Sequence, residues 1–393
     1  MSWQIVHWIA GSVLGLAWFS RIVEAAIGMP RIADVARPEW DRRPGAAGGE
    51  PRVSVIVPAR NEEEDIRATL EGLLALDYSN YEIIAVDDRS TDSTGARMGE
   101  VAASSVAHGR LRIIHVRELP AGWMGKTHAM WTAAEQASGE WLLFTDADVL
   151  FKPDSVRRAV SYAEAERADH VVLFPRMIME NPGERMMIAF FQALFVFGHR
   201  PWKVADPQAQ DHMGVGAFNM VRRPVYEAVG TYKALRMEVL DDMKLGKVVK
   251  NAGYRQRNVF GEDLISLRWV KGTFGIVENL TKNFFALLSF QWPRTVASII
   301  ALAFLNLGPF VGVWMAHGWA RLPYAVALAS IFSIYLGMSS LSDVRPYYFL
   351  LHPVSTCVVT YTIARSMVLT MWQGGIVWRG TKYPLEELRK GMV

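Results

Sequence analysis

The sequence predicts an α/β domain, a mostly parallel sheet covered by helices, carried on apolar helices at both ends of the chain. Three observations predict it. Between residues 51 and 285, short β-branched runs alternate with helical periodicity, the pattern of parallel strands joined by crossover helices. Apolar runs of about 20 residues, the length that crosses a bilayer as a helix, stand toward either end. The composition, 51% hydrophobic and 21% charged with a mean hydropathy of +0.12, lies at the apolar edge of soluble chains.

The first run, residues 3–22, reads as a transmembrane helix rather than a cleaved signal, because no Lys or Arg precedes it and Glu24-Ala25-Ala26 is a poor cleavage site. Arg21, Arg31, Arg37, Arg42 and Arg43 all follow it, which places the bulk of the chain in the cytoplasm. Strands are predicted at 53–57, 81–86, 111–116 and 141–145. Helices are predicted after Asn61, with Ile66, Leu70, Leu73 and Leu74 on one face, over 126–137, and from Pro153, at the favoured first helical position. Residues 186–197 are nearly all apolar yet too short to span. Runs 296–316 and 322–341, joined by a turn at 317–321, read as a helical hairpin.

The last run, 352–372, carries Arg365 and precedes Arg379, Lys382, Arg389 and Lys390. If all four runs span, this basic tail lies outside, against the preference of basic flanks for the cytoplasm. Either the run is re-entrant or interfacial, or the tail breaks the rule; the sequence leaves both open. The division is thus 1–26 anchor, 27–50 linker, 51–285 α/β domain and 286–393 membrane region with basic tail. Residues 44–51 form the one low-complexity tract, read as linker, and no internal repeat occurs.

Net charge excludes some functions. A value of +3, from 42 Lys and Arg against 39 Asp and Glu, gives no basic field for nucleic acid. The single cysteine, Cys357, excludes a disulfide framework, a Cys-based zinc site and an iron–sulfur cluster.

Three polar clusters, Pro58-Ala59-Arg60-Asn61-Glu62, Asp87-Asp88 and Asp146-Ala147-Asp148, each stand just past the carboxyl end of a predicted strand, the edge where open α/β sheets bind ligands. Solvated loop carboxylates explain any one of these placements and explain their coincidence poorly. Asp146 and Asp148, one residue apart after an apolar strand, can present carboxylates to a divalent cation that also takes phosphate oxygens. Lys126, in Gly122-Trp123-Met124-Gly125-Lys126 at a helix start, suits a phosphate. A P-loop is disfavoured because Arg117 occupies its first glycine position, and no G-x-G-x-x-G follows a strand. Asp87 and Asp88 can accept hydrogen bonds from a nucleoside. Asp241-Asp242 is a further carboxylate pair at a helix start; spacing alone does not separate chemistry from capping there.

With these residues in order, the chain resembles the membrane-bound bacterial glycosyltransferases of family 2, whose nucleotide-sugar-binding fold is the Rossmann-like GT-A fold. The resemblance covers residues 52–285. It rests on strand-Pro-Ala-Arg-Asn-Glu, Val-Asp-Asp-x-Ser-Thr-Asp, Gly-Trp-x-Gly-Lys, Thr-Asp-Ala-Asp-Val and Asp-Asp-x-x-Leu in this sequence. It is most similar to the branch associated with hopanoid, carotenoid and other lipid glycosylation. The resemblance implies that Asp88 contacts the nucleotide base, with Asp87 and the Pro58, Arg60, Glu62 loop nearby. It implies that Asp146 and Asp148 hold Mg²⁺ or Mn²⁺ on the diphosphate, that Lys126 neutralises phosphate, and that Asp242 is the catalytic base. Asp241 stands where the family commonly has Glu. Ile265-Ser266-Leu267-Arg268-Trp269 keeps Arg-Trp of the Q-x-x-R-W signature but lacks its Gln, which disfavours a processive polysaccharide synthase.

Arg268 and Trp269 then either line the acceptor cleft beside Asp241 or simply pack, and His212 either nears the metal or sits in a surface loop. The implied reaction is inverting transfer from a nucleotide-sugar, UDP-linked by family habit, to a hydroxyl of a membrane lipid, with residues 186–197 as a lipid-facing wall. The implied setting is the inner membrane, multi-pass, with the catalytic domain cytoplasmic. Two other classes stay open: a non-catalytic nucleotide-sugar-binding membrane component, and a nucleotidyltransferase that would release pyrophosphate.

Overall fold

Strands form where the β-branched runs are. In the computed structural model they are β1 (Val53–Ala59), β2 (Tyr81–Asp88), β3 (Leu111–Val116), β4 (Trp141–Phe144), β5 (Val149–Phe151), β6 (His170–Leu173), β7 (Arg176–Met177), β8 (Asn219–Arg222), β9 (Gln256–Val259), β10 (Ile265–Leu267), β11 (Gly375–Trp378) and β12 (Thr381–Pro384). The structure describes residues 3–393 except 46–48, 105, 106, 108, 270, 340 and 341. The middle of the 44–51 tract and the last two residues of the predicted helix 322–341 therefore lie outside the described residues.

In chain order the helices are α1 (Trp3–Gly28), α2 (Ile66–Leu74), α3 (Thr94–Ala102), α4 (Gly125–Gln136), α5 (Ser155–Ala165), α6 (Pro182–Gly198), α7 (Arg223–Ala228) and α8 (Thr231–Ala234). They continue with α9 (Asp241–Asn251), α10 (Gly272–Thr281), α11 (Phe284–Leu287), α12 (Trp292–Met315), α13 (Leu322–Met338), α14 (His352–Gln373) and α15 (Leu385–Lys390).

The chain divides into an α/β unit, Ile32–Ile178, Lys203–Arg268 and Arg379–Val393, and a helical unit, Met1–Arg31, Met179–Trp202 and Trp269–Trp378. Residues 179–202 and 269–285, counted with the catalytic domain from sequence, fall in the helical unit. Arg379–Val393, counted with the membrane region, falls in the α/β unit.

The main sheet of the α/β unit has seven strands in the order β3-β2-β1-β4-β8-β6-β9. Strands β3, β2, β1 and β4 run parallel, and β8 is antiparallel to both β4 and β6. A smaller sheet, β5-β10-β7, lies apart from it. Ile56, Ile84, Leu142, Phe144 and Val221 on the main sheet bury against Met130, Ala133, Leu245 and Val249 of α4 and α9. That burial, at roughly 25 cal/mol per Å² of apolar surface, fixes the two helices that carry the functional side chains.

Several boundaries differ from the predicted ones, three of them with a reason in the pairing. β1 runs on through Pro58 to Ala59, because beyond Ile56 it pairs with β2 alone and a missing proline N–H costs no bond to β4. β2 continues to Asp88, paired through Asp88 with Val116. Pro153 precedes the helix rather than opening it: Asp154 is the N-cap of α5, and the Pro153 carbonyl accepts the Asp77 N–H at 2.7 Å.

In the helical unit, α1, α12, α13 and the segment Pro346–Gln373 containing α14 are long and apolar enough to cross a membrane. Trp3, Trp292, Trp314, Trp319 and Trp372, all well exposed, stand at or near helix ends, as tryptophans at a membrane interface do. Inside, some polar atoms are paired between helices: Trp18 Nε1 donates to Leu305 O at 2.9 Å, and His352 lies 3.0 Å from both Asn306 Oδ1 and the Tyr335 hydroxyl. The direction of α14 follows from its partners. Its first residue, His352, meets Asn306 near the middle of α12, whereas Ser366 Oγ accepts the N–H of Phe285, which precedes α12, at 2.9 Å. α14 thus starts partway along α12 and runs back toward the level at which α12 begins. Lys282, also ahead of α12, lies 4.0 Å from the ring of Trp378 at the end of this path.

Candidate functional site

β4 delivers the chain into Thr145-Asp146-Ala147-Asp148. The Thr145 N–H donates to Ile56 O at 3.1 Å and its hydroxyl to Ala217 O at 2.8 Å, while Asp146 N donates to Gly216 O at 3.0 Å. Gly216 is required by space: a Cβ there would stand 2.4 Å from Asp146 Oδ2. Asp148 Oδ1 is buried without a hydrogen-bond partner, and burial, then the charges of Asp146 and Glu62, raise the Asp148 pKa to about 7.

The turn into α4 is held by two bonds to one carbonyl, Met124 N and Thr127 Oγ1 each 2.8 Å from Arg236 O. It sets Lys126 Nζ 2.7 Å from Asp146 Oδ1 and 3.6 Å from Asp241 Oδ2. Burial works against the ammonium, but Asp146, Asp241 and Asp242 outweigh it and raise the Lys126 pKa. Asp241 opens α9, buried; burial raises its pKa to about 7 against the pull of Lys126, with Asp242 and Asp146 adding to the rise. Burial also raises Asp242, again opposed by Lys126, and its Oδ1 accepts the Met243 N–H at 2.7 Å.

Three carboxyl groups, Asp146, Asp241 and Asp242, therefore act on one ammonium, and a fourth, Asp148, lies beside Asp146. Such a site has spare negative charge and an orphaned carboxylate oxygen, which suits a divalent cation. Among the described residues no group of three or more His, Cys, Asp or Glu could hold a metal by itself. An ion would rest on the pair Asp146 and Asp148 and complete its shell with ligand or water oxygens, a habit of Mg²⁺ at phosphates. His212 belongs to no such group; its Nδ1 lies 3.1 Å from Gln210 O.

A second set of residues, which the sequence does not single out, fixes α9. Gln256 Oε1 accepts the Met213 N–H at 2.8 Å, so its Nε2 is the donor, to Gly246 O at 3.0 Å and to His170 Nδ1 at 2.7 Å. His170 must then carry its proton on Nε2, which donates to Asn219 Oδ1, and Asn219 Nδ2 reaches Asp242 O at 3.4 Å. Full burial drives the His170 pKa down to about 4, so the ring is neutral. One hydrogen-bonded chain from β9, β6 and β8 thus grips the start and middle of the helix bearing Asp241 and Asp242. His170 sits in a run, His-Val-Val-Leu, whose only signal is a lone polar residue in a strand.

At the other end, the buried carboxylate of Asp88 takes a bidentate bond from Arg89, 2.8 and 3.0 Å, leaving further lone pairs on its oxygens. Arg89 adopts φ 57°, the left-handed region, to make this fork. Asp88 abuts α4: a Cβ on Gly125 would stand 2.3 Å from its Oδ2. Asp87 turns elsewhere, accepting Ser90 N–H at 3.2 Å and lying 3.0 Å from His115 Nδ1. Pro58 ends in β1. Glu62 N donates to Thr94 Oγ1 at 2.8 Å, Arg60 Nη1 reaches Thr381 Oγ1 at 3.1 Å, and Arg379 bonds the Arg60 carbonyl and Glu62. At the sheet's carboxyl edge the structure thus groups Asp146, Asp241 and Asp242 about Lys126, with Asp148 and Glu62 beside Asp146, and sets Asp88 against the start of α4 with Arg60 near it. Arg268 directly follows β10, the central strand of the small sheet, and Trp269, in the helical unit, packs edge-on to Phe191 at 5.5 Å.

Residues 54–241 match the model of glycosyl transferase family 2. Among curated proteins, the 4,4′-diaponeurosporenoate glycosyltransferase of Staphylococcus aureus strain MRSA252 is 19% identical over 345 residues, covering 85% of this chain and 89% of that protein. That of strain USA300 is 20% identical over 342 residues with the same coverage. Among solved structures, the mannosyltransferase PcManGT from Pyrobaculum calidifontis, in complex with GDP-Man and Mn²⁺, is 20% identical, with a TM-score of 0.53 over 93% of this chain and 99% of that one. This last likeness shows the GT-A fold.

Proposed function

We propose that this family 2 glycosyltransferase moves a glycosyl group from a nucleotide-sugar to an oxygen of a membrane lipid, by inverting displacement at the crevice around Lys126. The observation that carries the reading is the position of Lys126 Nζ, 2.7 Å from Asp146 and 3.6 Å from Asp241. It joins the carboxylates suited to a diphosphate-bound cation to those suited to an acceptor.

Asp88 and the loops after β1 and β2 would receive the nucleoside, and the start of α4 with Lys126 the diphosphate. A Mg²⁺ or Mn²⁺ ion on Asp146 and Asp148 would take up charge on the departing diphosphate. Asp242 would accept the acceptor's proton. An ordinary Asp, pKa about 3.9, is too weak to deprotonate an alcohol outright. It serves as the hydroxyl acidifies in the transition state, an effect of about 10²–10⁴-fold, and the burial that raises Asp242 moves it in the useful direction.

The helical unit supports a lipid acceptor, as does the acceptor named in the S. aureus relatives, an apolar carboxylate. That name favours a second reading of the acceptor atom: a carboxylate oxygen is already ionised and needs no base. The α/β unit would lie on the cytosolic side of the inner membrane, the side that the arginines after the first apolar run favour.

The test is incubation of purified membranes with a panel of labelled nucleotide-sugars, with mass analysis of the lipid extract. Glycosylated lipid and a nucleoside diphosphate are expected; pyrophosphate release would assign a nucleotidyltransferase instead. Asp242→Asn should keep nucleotide binding and lower transfer by about 10²–10⁴, whereas Asp146→Asn and Asp148→Asn should weaken metal-dependent binding too. An Asp242→Asn protein that transfers at the parent's rate removes Asp242 as base and leaves the carboxylate acceptor.

A further inference from the structure

The tail is not a loose basic end. Arg379 and Gly380 both take positive φ, 46° and 76°, the left-handed region that a residue with a side chain seldom adopts. Arg379 then spends its guanidinium on the loop after β1, bonding the Arg60 carbonyl and Glu62. Thr381 accepts from Arg60 Nη1 at 3.1 Å. Tyr383 is buried, its hydroxyl accepts the Gly125 N–H at 3.1 Å, and the guanidinium of Arg89, the partner of Asp88, lies close to the same hydroxyl. Beyond it Leu388 is buried, Gly391 packs against Met237, and Val393 N donates to Glu238 Oε1 at 2.5 Å. Lys244, in the first turns of α9, lies 3.1 Å from the same Glu238.

One short segment therefore touches the loop after β1, the end of β2, the first N–H of α4 and the approach to α9. These are the pieces of the donor site proposed above, and the Gly125 N–H, which a helix start would otherwise offer to phosphate, is held by the Tyr383 hydroxyl. We infer that Arg379–Val393 is a wall of the nucleotide site, in which Arg379 and Tyr383 are positioning residues that set the spacing of the Arg60–Glu62 loop, the Asp88–Arg89 pair and the start of α4 for a nucleoside diphosphate. The inference rests on the donor site proposed above and adds to it a segment outside residues 54–241, the span of the family match.

The test is equilibrium binding of UDP and of GDP, each with Mn²⁺, to the full-length protein in detergent, for the parent, Tyr383→Phe, Arg379→Gln and Arg379→Lys. Heat denaturation without nucleotide is measured alongside. The expected result is affinity for the bound nucleotide weakened at least fivefold in Tyr383→Phe and Arg379→Gln, partly recovered in Arg379→Lys, with the nucleotide-free melting temperature unchanged. In turnover the same variants should raise the donor KM more than they lower kcat. Variants that bind as tightly as the parent, or more tightly, overturn the inference and leave the donor site standing. Weaker binding that tracks an equal loss of melting temperature also overturns it, since the tail would then be only structural. A parent that binds neither nucleotide overturns the donor site and the inference together.

Discussion

The carboxylate of Asp88 occupies the space that a side chain on Gly125 would need: a Cβ built there stands 2.3 Å from Asp88 Oδ2 and 2.7 Å from Arg89 Nη2. Gly125 is the first residue of α4, where replacement of glycine by alanine ordinarily helps a helix by up to about 1 kcal/mol. Overpacking costs about 1–3 kcal/mol, so the clash wins. Gly125→Ala should lower stability by about that margin and push Asp88 and Arg89 off the start of α4. Nucleotide titration should show weakened affinity; a stabilised variant with parental affinity would show that the Asp88–Gly125 approach is not required.

Lys126 is the ammonium on which Asp146, Asp241 and Asp242 act. Lys126→Met should remove transfer and, because it leaves buried carboxylates unpaired, lower stability near pH 8 by about 3–5 kcal/mol. Asp241 has a folded pKa of about 7, above its ordinary 3.8, so the folded state holds the extra proton and stability falls as pH rises through that window. Loss of Lys126 moves Asp241 higher still. The variant's deficit should therefore shrink toward pH 5, and Mn²⁺ should reduce it at pH 8. Denaturant melts at both pH values with and without Mn²⁺ check this; a deficit independent of pH and metal would remove Lys126 as the neutralising group.

His170 predicts the opposite pH dependence. Its folded pKa of about 4 lies below the ordinary 6.5, so the unfolded chain binds the proton more readily, and the network's contribution is full above about pH 6.5 and is lost as pH falls toward 4. Asp241 pulls the other way in part of this range, so the difference between parent and His170→Gln isolates the ring. Between pH 6.5 and 4.5 that difference should shrink by up to about 1.4 kcal/mol per unit. At pH 7.5 the variant should also lower kcat more than donor KM, because Asn219 then loses the partner that aims it at the Asp242 carbonyl. A pH-independent difference with parental kcat would make His170 mere filling.

The alternation of β-branched runs and helical periodicity by itself determined β1 to β4, α2 and α4, and the polar residues at strand ends placed Asp88, Asp146 and Asp148 on one edge. Periodicity and strand polarity are local properties, written in neighbours a few residues apart. Apolar length likewise marked the helices that became α1, α12, α13 and α14, but it could not give α14 its direction, which depends on His352 meeting Asn306 and Ser366 meeting Phe285. Only the tertiary structure decided that Lys126 stands between Asp146 and Asp241, that His170, Asn219 and Gln256 hold α9, and that Arg379 and Tyr383 reach loops some three hundred residues earlier in the chain. Those contacts join residues with no shared local pattern. Their partners are selected by burial, which penalises every polar atom left without one.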